Sequence, residues 1–303
     1  MTAVAPGTSD LPASPITSGP ATRTGGAARV RRPRRGGGAT RRGPWLAIIF
    51  WVVIGITLVP IVYMVVYSFN DAPTNRLTFA WNGFTTYWYA NLVQVSGLGA
   101  AFLNSVVIAV IAAVGSVAIG LPLALALERY RWPGRGFVNA MVFADIAAPS
   151  IVVGAASLSF FLSIGIGTGF LTIVIVHVAF DVAYVVVVLR ARISGMGRVL
   201  EEAAGDLGAT PLQAFRLVTL PLLVPGMLAA GLLALAMSID DYVITSFVAG
   251  PSVTFPLFVY GAAKAGMPPQ VLCFGTLIFV VGLLVALLNG ALNRRLTRTR
   301  GEV

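Results

Sequence analysis

Cysteine and histidine are almost missing from the chain, with Cys273 and His177 the only ones in 303 residues. A lone cysteine closes no internal disulfide and carries no information on redox compartment. One histidine and one cysteine do not furnish the usual ligand set of a transition metal, and no metal site is expected. Charge is scarce as well. Only 11% of residues are charged and 57% are hydrophobic, whereas soluble domains carry about a quarter charged residues. An ordinary soluble globular domain is thereby excluded. Catalytic signatures are also lacking. There is no Gly-rich phosphate loop of the P-loop type, so the chain is not expected to hydrolyse ATP itself. Neither a Gly-x-Ser-x-Gly turn nor a paired zinc-binding histidine motif occurs. The expectation is a chain that is not an enzyme and binds no cofactor.

What the chain does have is apolar length. Six runs, near 45–68, 103–127, 137–163, 170–190, 222–248 and 272–292, each reach the roughly 20 residues that cross a hydrocarbon core. Helices satisfy their own backbone in lipid, so these runs predict an all-α integral membrane protein with six transmembrane helices across residues 44–293. The third and fifth runs are interrupted by polar residues, and irregular packing is expected there. Residues 1–43 are rich in Ala, Gly, Pro, Thr, Ser and Arg without apolar periodicity, which predicts a disordered basic tail. A twin-arginine signal is the rival reading of Arg31-Arg32-Pro33-Arg34-Arg35. The run from Trp45 to Tyr67 exceeds the roughly 7–15 residues of a signal core, and no small-residue cleavage site follows it, so a retained anchor is expected.

The net charge of +10 raises nucleic acid as a partner, but placement argues otherwise. With the N-terminus inside, 19 of the 21 basic residues fall on cytoplasmic segments: the tail, Arg129 to Arg135, Arg190 to Arg216, and a C-terminal tail at 294–303. Only Arg76 and Lys264 fall outside. This is the positive-inside pattern for an even number of spans with both termini cytoplasmic. The basicity is thus a topology signal, and no nucleic-acid partner is expected. The first external loop, roughly 69–102, carries Phe79, Trp81, Phe84, Tyr87, Trp88 and Tyr89. Such aromatics suit either an interfacial anchor or a docking surface for something outside the cell.

Four acids fall within the apolar runs: Asp145, Asp181, Asp240 and Asp241. Carboxylates are costly in a bilayer and tend to face a bundle interior or a pathway. Asp181 lies four residues after His177, which puts both on one helix face. The two read as a self-neutralising pair or as a proton relay. Asp240-Asp241-Tyr242 combines acids with an aromatic ring, a chemistry that attracts organic cations. The bland reading is a solvated vestibule or helix-packing hydrogen bonds. Asp145 precedes Ala147-Ala148-Pro149, which can simply bend the helix.

A polar interval, Glu201-Glu202-Ala203-Ala204-Gly205-Asp206-Leu207-Gly208, stands between two apolar runs. Acids followed by alanines predict a helix start, and Gly208 its end. Ala209-Thr210-Pro211 turns the chain, and Leu212 to Val218 predict a second short helix before Pro221. The expectation is a helix-turn-helix knob over 195–221, on the cytoplasmic side by the charge count. Two function classes follow: a pore-forming subunit driven by another protein through this knob, or a secondary transporter driven by protons at His177 and Asp181. Secondary transporters often carry internal repeats, and the two halves show no convincing one.

The spacing Glu202-Ala203-Ala204, three residues, Gly208, nine residues, Val218, one residue, Leu220-Pro221 resembles the EAA loop of ATP-binding-cassette importer permeases, with Val218 at the usual Ile. Tyr67-Ser68-Phe69-Asn70, Trp81 to Tyr89, Asn104-Ser105, Glu128-Arg129-Tyr130-Arg131 and Ser238 to Pro251 are similar to the spermidine/putrescine permeases of the C type. Asp145 before Pro149 departs from that pattern, and Asp181 has no counterpart in it. The resemblance implies a type I importer permease fold in the bacterial inner membrane. It also implies that Glu202, Ala203, Ala204, Gly208, Leu220 and Pro221 couple the chain to the ATPase. Implied partners are membrane lipid, a second homologous permease, two copies of a cytoplasmic ATPase that holds the ATP and Mg, and an external substrate-binding protein. The substrate path is expected at Asp240, Asp241 and Tyr242, with Asp181 and Asp145.

Overall fold

A computed structural model describes residues 44–74 and 76–299; the expected basic tail at 1–43 lies outside them. Every regular element among the described residues is helical. The described residues divide into two units, with the boundary between Val53 and Ile54. Helix α1 (Pro44–Tyr67) begins in the first unit, and every later helix lies in the second.

A short helix α2 (Tyr87–Ala90) precedes α3 (Leu98–Arg129). Next come α4 (Arg135–Ala147), α5 (Ser150–Ser163) and α6 (Phe170–Ser194). The knob is α7 (Val199–Asp206) and α8 (Pro211–Ala214), and α9 (Leu220–Asp240) follows. Helices α10 (Val243–Val248), α11 (Phe255–Ala265) and α12 (Gln270–Thr299) complete the chain. Among the described residues, four helices are long and apolar enough to cross a membrane, or five if the bent pair α4–α5 counts as one span.

Helices α3, α6 and α9 pack as a three-helix core. Lipid tails are as apolar as leucine, so close backbone approach rather than water exclusion holds such helices together. The α3 face reads accordingly: Ala101, Ser105, Ala109, Ala112, Ser116, Gly120 and Ala124 are all buried. A Cβ on Gly120 would sit 2.6 Å from Val185 Cγ1 on α6, so that crossing requires glycine. Leu127, Val185, Val186, Leu189 and Leu223 fill the same core.

The third and fifth spans, interrupted by polar residues in the sequence, are each broken rather than continuous. The third is not one helix: α4 and α5 meet at 111°. Pro149 supplies no N–H and forces Ala148 into an extended conformation, with ψ 132°. The fifth ends at Asp240, and Asp241 leaves the helix with ψ 119°. The two acids are therefore not neighbours on a continuous helix. A third correction concerns the knob. Its second helix is not separate, because α8 runs through a π-helical turn at Phe215–Thr219 into α9. Pro221 falls at the start of α9 rather than ending a helix. A π-turn adds a residue to the helical ladder, and such turns relieve a proline's missing N–H.

Candidate functional site

The knob is built by local rules. Glu201 and Glu202 lie in the first turn of α7, where the helix dipole favours acids. Gly208 ends it with φ +85°, a left-handed conformation that costs any residue with a Cβ roughly 1–2 kcal/mol. The Ala209 amide then donates to the Ala204 carbonyl at 3.0 Å, closing the helix end. Thr210 opens α8 through a capping box. Gln213 N donates to Thr210 Oγ1 at 3.4 Å, and Thr210 N donates back to Gln213 Oε1 at 2.8 Å. Pro211 sits at the first helical position, where its missing N–H costs nothing.

The acid that fastens the knob to the bundle is Glu201, which the sequence analysis passed over. Its Oε1 accepts from Arg129 Nη2 at 3.3 Å and from Thr219 Oγ1 at 2.8 Å. One carboxylate thus joins α7 to the end of α3 and to the turn below α9. Arg129 Nη2 also reaches the Met196 carbonyl at 3.3 Å, and Arg198 donates to the Arg129 carbonyl. Glu202 is exposed, as are Ala203 and Gly208. Val199, Leu207, Leu212 and Leu217 are exposed too, Leu207 to 90%. A loop tip with that much apolar surface has the character of a contact face. A cavity of about 630 Å³ lies behind it, lined by Leu125, Arg129, Glu201, Glu202, Ala209 and Phe215 among others. Leu220 is half-buried and Pro221 exposed at the base of α9.

Toward the other end of the bundle, His177 does not pair with Asp181. Its Nδ1 lies 2.6 Å from Ser238 Oγ on α9, and its Nε2 lies 3.0 Å from Thr245 Oγ1 and 3.4 Å from Asp241 Oδ2. Thr245 spends its single hydroxyl proton on Asp241 Oδ2 at 2.7 Å, which leaves His177 Nε2 to donate to Thr245. Asp241 also accepts the amides of Thr245 at 2.7 Å and Ile244 at 3.4 Å. It therefore caps α10 and ties it through His177 to α6. Position i+4 on a helix had suggested Asp181 as the partner; a residue 64 positions away in sequence holds that place instead.

Asp181 is 1% exposed, and its Oδ2 has no hydrogen-bond partner among the described residues; the same holds for Asp145 Oδ2. Both lie within electrostatic reach of each other, and Asp181 within reach of Asp240 and Asp241. Asp240 is exposed on the surface of this chain. Tyr242 packs against Tyr260 of α11 with ring centroids 4.5 Å apart and the planes tilted by 36°, and Lys264 Nζ sits 4.3 Å above the Tyr260 ring. Tyr260 and Lys264 were not among the expected site residues, since helical spacing links them to each other but not to Tyr242.

The aromatic loop after α1 is organised by buried Asn70. Its Nδ2 donates to the Ala80 carbonyl, its Oδ1 accepts from Asn82 N, and its carbonyl accepts from Trp88 Nε1. Phe79, Trp81, Phe84 and Tyr87 are left exposed.

Comparison with known proteins adds the following. The family described as "binding-protein-dependent transport system inner membrane component" matches residues 116–298. The spermidine/putrescine transport system permease protein PotC of Escherichia coli (strain K12) is 34% identical over 262 residues, covering 86% of this chain and 97% of that protein. The putrescine transport system permease protein PotI of the same organism is 36% identical over 245 residues, covering 78% and 86%. Among solved structures, a bacterial ABC transporter that imports the acidic polysaccharide alginate superposes with TM-score 0.60 at 20% identity, covering 84% of this chain and 97% of the other. An amino acid ABC transporter gives 0.53 at 19%, covering 68% and 95%.

Proposed function

The chain belongs to the family of binding-protein-dependent transport system inner membrane components, and from that premise we propose that it translocates polyamines as one permease of an ATP-driven importer. It is a non-catalytic membrane subunit of an ABC transporter. The observation that carries the coupling half of the proposal is the knob at 199–219. An exposed apolar tip with free Glu202, turned at Gly208, is anchored to α3 and α9 by Glu201. A push on the tip is then delivered to two core helices rather than lost in a loop. Glu202 pairs with a basic residue of the ATPase, Ala203 and Ala204 allow close approach, and Leu220 and Pro221 join the knob to α9.

The topology we propose has six spans and both termini in the cytoplasm of a bacterial inner membrane. In it, α4 and α5 together make the third span and α12 the sixth, with 195–221 as the coupling loop. The partners are a second homologous permease, two copies of a cytoplasmic ATPase holding ATP and Mg, and an external substrate-binding protein that meets the exposed aromatics of the first loop. Substrate passes along Asp240 and Tyr242. Asp241 holds the break that presents them, while Asp145 and Asp181 supply negative potential behind.

The chemistry fits a cation: acids adjoin an aromatic ring at Asp240-Asp241-Tyr242, and no arginine of the described bundle neutralises Asp145, Asp181 or Asp240 by an ion pair. Putrescine is the substrate class named for two relatives of this length. Uptake in vesicles carrying the whole importer, with labelled putrescine competed by spermidine, amino acids, sugars and metal ions, tests the assignment. Competition by spermidine alone supports it. Competition by a sugar or an amino acid redirects it to another small solute.

A further inference from the structure

Lys264 is the only lysine in the chain, against twenty arginines. It is one of only two basic residues beyond the arginine-rich segments. It projects from the last turn of α11 and sets its ammonium 4.3 Å above the centre of the Tyr260 ring. Tyr260 in turn packs at 4.5 Å, tilted by 36°, against Tyr242, the residue that follows Asp240 and Asp241 at the α9–α10 break. Lys264 makes no salt bridge to any described carboxylate. The exposed ammonium therefore rests on the Tyr260 ring rather than on an acid. Tyr260 beside it raises the lysine's pKa above the ordinary value, so the group stays charged.

The chemistry of the occupant is informative. A lysine side chain is four methylenes ending in a primary ammonium, which is an aminobutyl group, the same fragment that makes up an aliphatic diamine such as putrescine. Arginine, used everywhere else in this chain, has a planar guanidinium instead. A surface that seats the one aminobutyl group of the chain is a surface that fits an aminobutyl ligand.

Resting on the reading of the chain as a polyamine permease, we propose that the Tyr242–Tyr260 pair is an ammonium subsite at the mouth of the path, and that Lys264 is its tethered occupant, displaced by the arriving amine. The tether does two things. It keeps the subsite filled when no substrate is present, and it weakens substrate affinity there by the fraction of time it is seated. A weak subsite is what onward movement requires, since a tightly held amine would not leave.

Two measurements on the assembled importer test this. In the first, putrescine uptake is compared for wild type and Lys264→Gln, with Lys264→Arg and Tyr260→Leu alongside. Loss of the tethered ammonium lowers KM about two- to fivefold, the strength of an exposed cation–π contact. The arginine variant keeps a cation on the ring and stays near wild type, while Tyr260→Leu raises KM. Unaltered KM in Lys264→Gln, with measurable uptake, overturns the tether and leaves the polyamine reading standing. An absence of putrescine uptake in wild type overturns the reading beneath it. In the second, this chain is reductively methylated with a 13C label at its single lysine before assembly. The ring of Tyr260 shifts the labelled methyl signal upfield, and putrescine added in excess moves it toward the free-lysine position. A signal at the free-lysine position from the start, or one that putrescine does not move, contradicts displacement even if Lys264→Gln fails to assemble.

Discussion

Glu201 Oε1 and Arg129 Nη2 meet at 3.3 Å across the junction of α7 and α3, and Thr219 donates to the same oxygen at 2.8 Å. The contact makes a displacement of the knob a displacement of the bundle. It also separates two adjacent glutamates: Glu201 is turned inward against Arg129 and Thr219, and Glu202 is exposed.

Replacing Glu201 with Ala strands a mostly buried guanidinium and removes the Thr219 contact. Stability falls by about 1–3 kcal/mol, the range for hydrogen bonds to charged groups, read as a lower unfolding temperature in detergent or nanodiscs. Glu202→Ala leaves that temperature in place, because its side chain is exposed, yet it weakens ATPase association. Equal destabilisation by the two variants contradicts the division.

Gly208→Val places a β-branched residue at φ +85°. The strain costs roughly 1–2 kcal/mol and is confined to the knob, so the chain inserts and assembles while ATP-driven uptake is lost. Normal uptake by this variant removes the loop from the coupling mechanism.

At the α9–α10 break the two acids also separate. Asp241→Ala removes the cap of α10 and the partner of His177, and lowers stability by about 1–3 kcal/mol; His177→Ala does the same through Ser238 and Thr245. Asp240→Asn, on an exposed side chain, leaves stability alone and slows putrescine uptake. Thermal melts and uptake assays run on the same preparations distinguish the outcomes. Wild-type uptake in Asp240→Asn makes that acid structural.

Asp181 offers a test with the opposite sign. An unsatisfied buried polar atom costs about 1–3 kcal/mol, so Asp181→Leu raises the unfolding temperature of the chain. A lower temperature contradicts an unsatisfied Asp181 Oδ2.

Much of this was legible beforehand, for reasons that are local. Hydrophobic length placed α1, α3 and α6, since each is a long apolar run whose helix satisfies itself. Turn chemistry placed Gly208 and Thr210 at the two corners of the knob. What escaped was decided at a distance. The end of α9 at Asp240 depends on Asp241 bonding His177 and capping α10, a contact between segments some sixty residues apart. The 111° turn at Pro149 is larger than the bend a proline alone imposes, and α5 is held across it by packing of Gly154 against Phe247 of α10. Glu201 looked like half of an acidic pair, because only distant partners, Arg129 seventy-two positions upstream and Thr219 eighteen downstream, distinguish it from Glu202. Tyr260 was silent in sequence because its partner Tyr242 lies at the α9–α10 break, outside any helical spacing with it.

The most direct test of the coupling claim is putrescine uptake into vesicles carrying the assembled importer, measured with ATP supplied or withheld and with a proton gradient imposed or absent. The structure and the family assignment predict uptake that requires ATP and the partner ATPase, ignores the proton gradient, and vanishes with Gly208→Val. Uptake that proceeds without the ATPase and follows the proton gradient would contradict the account.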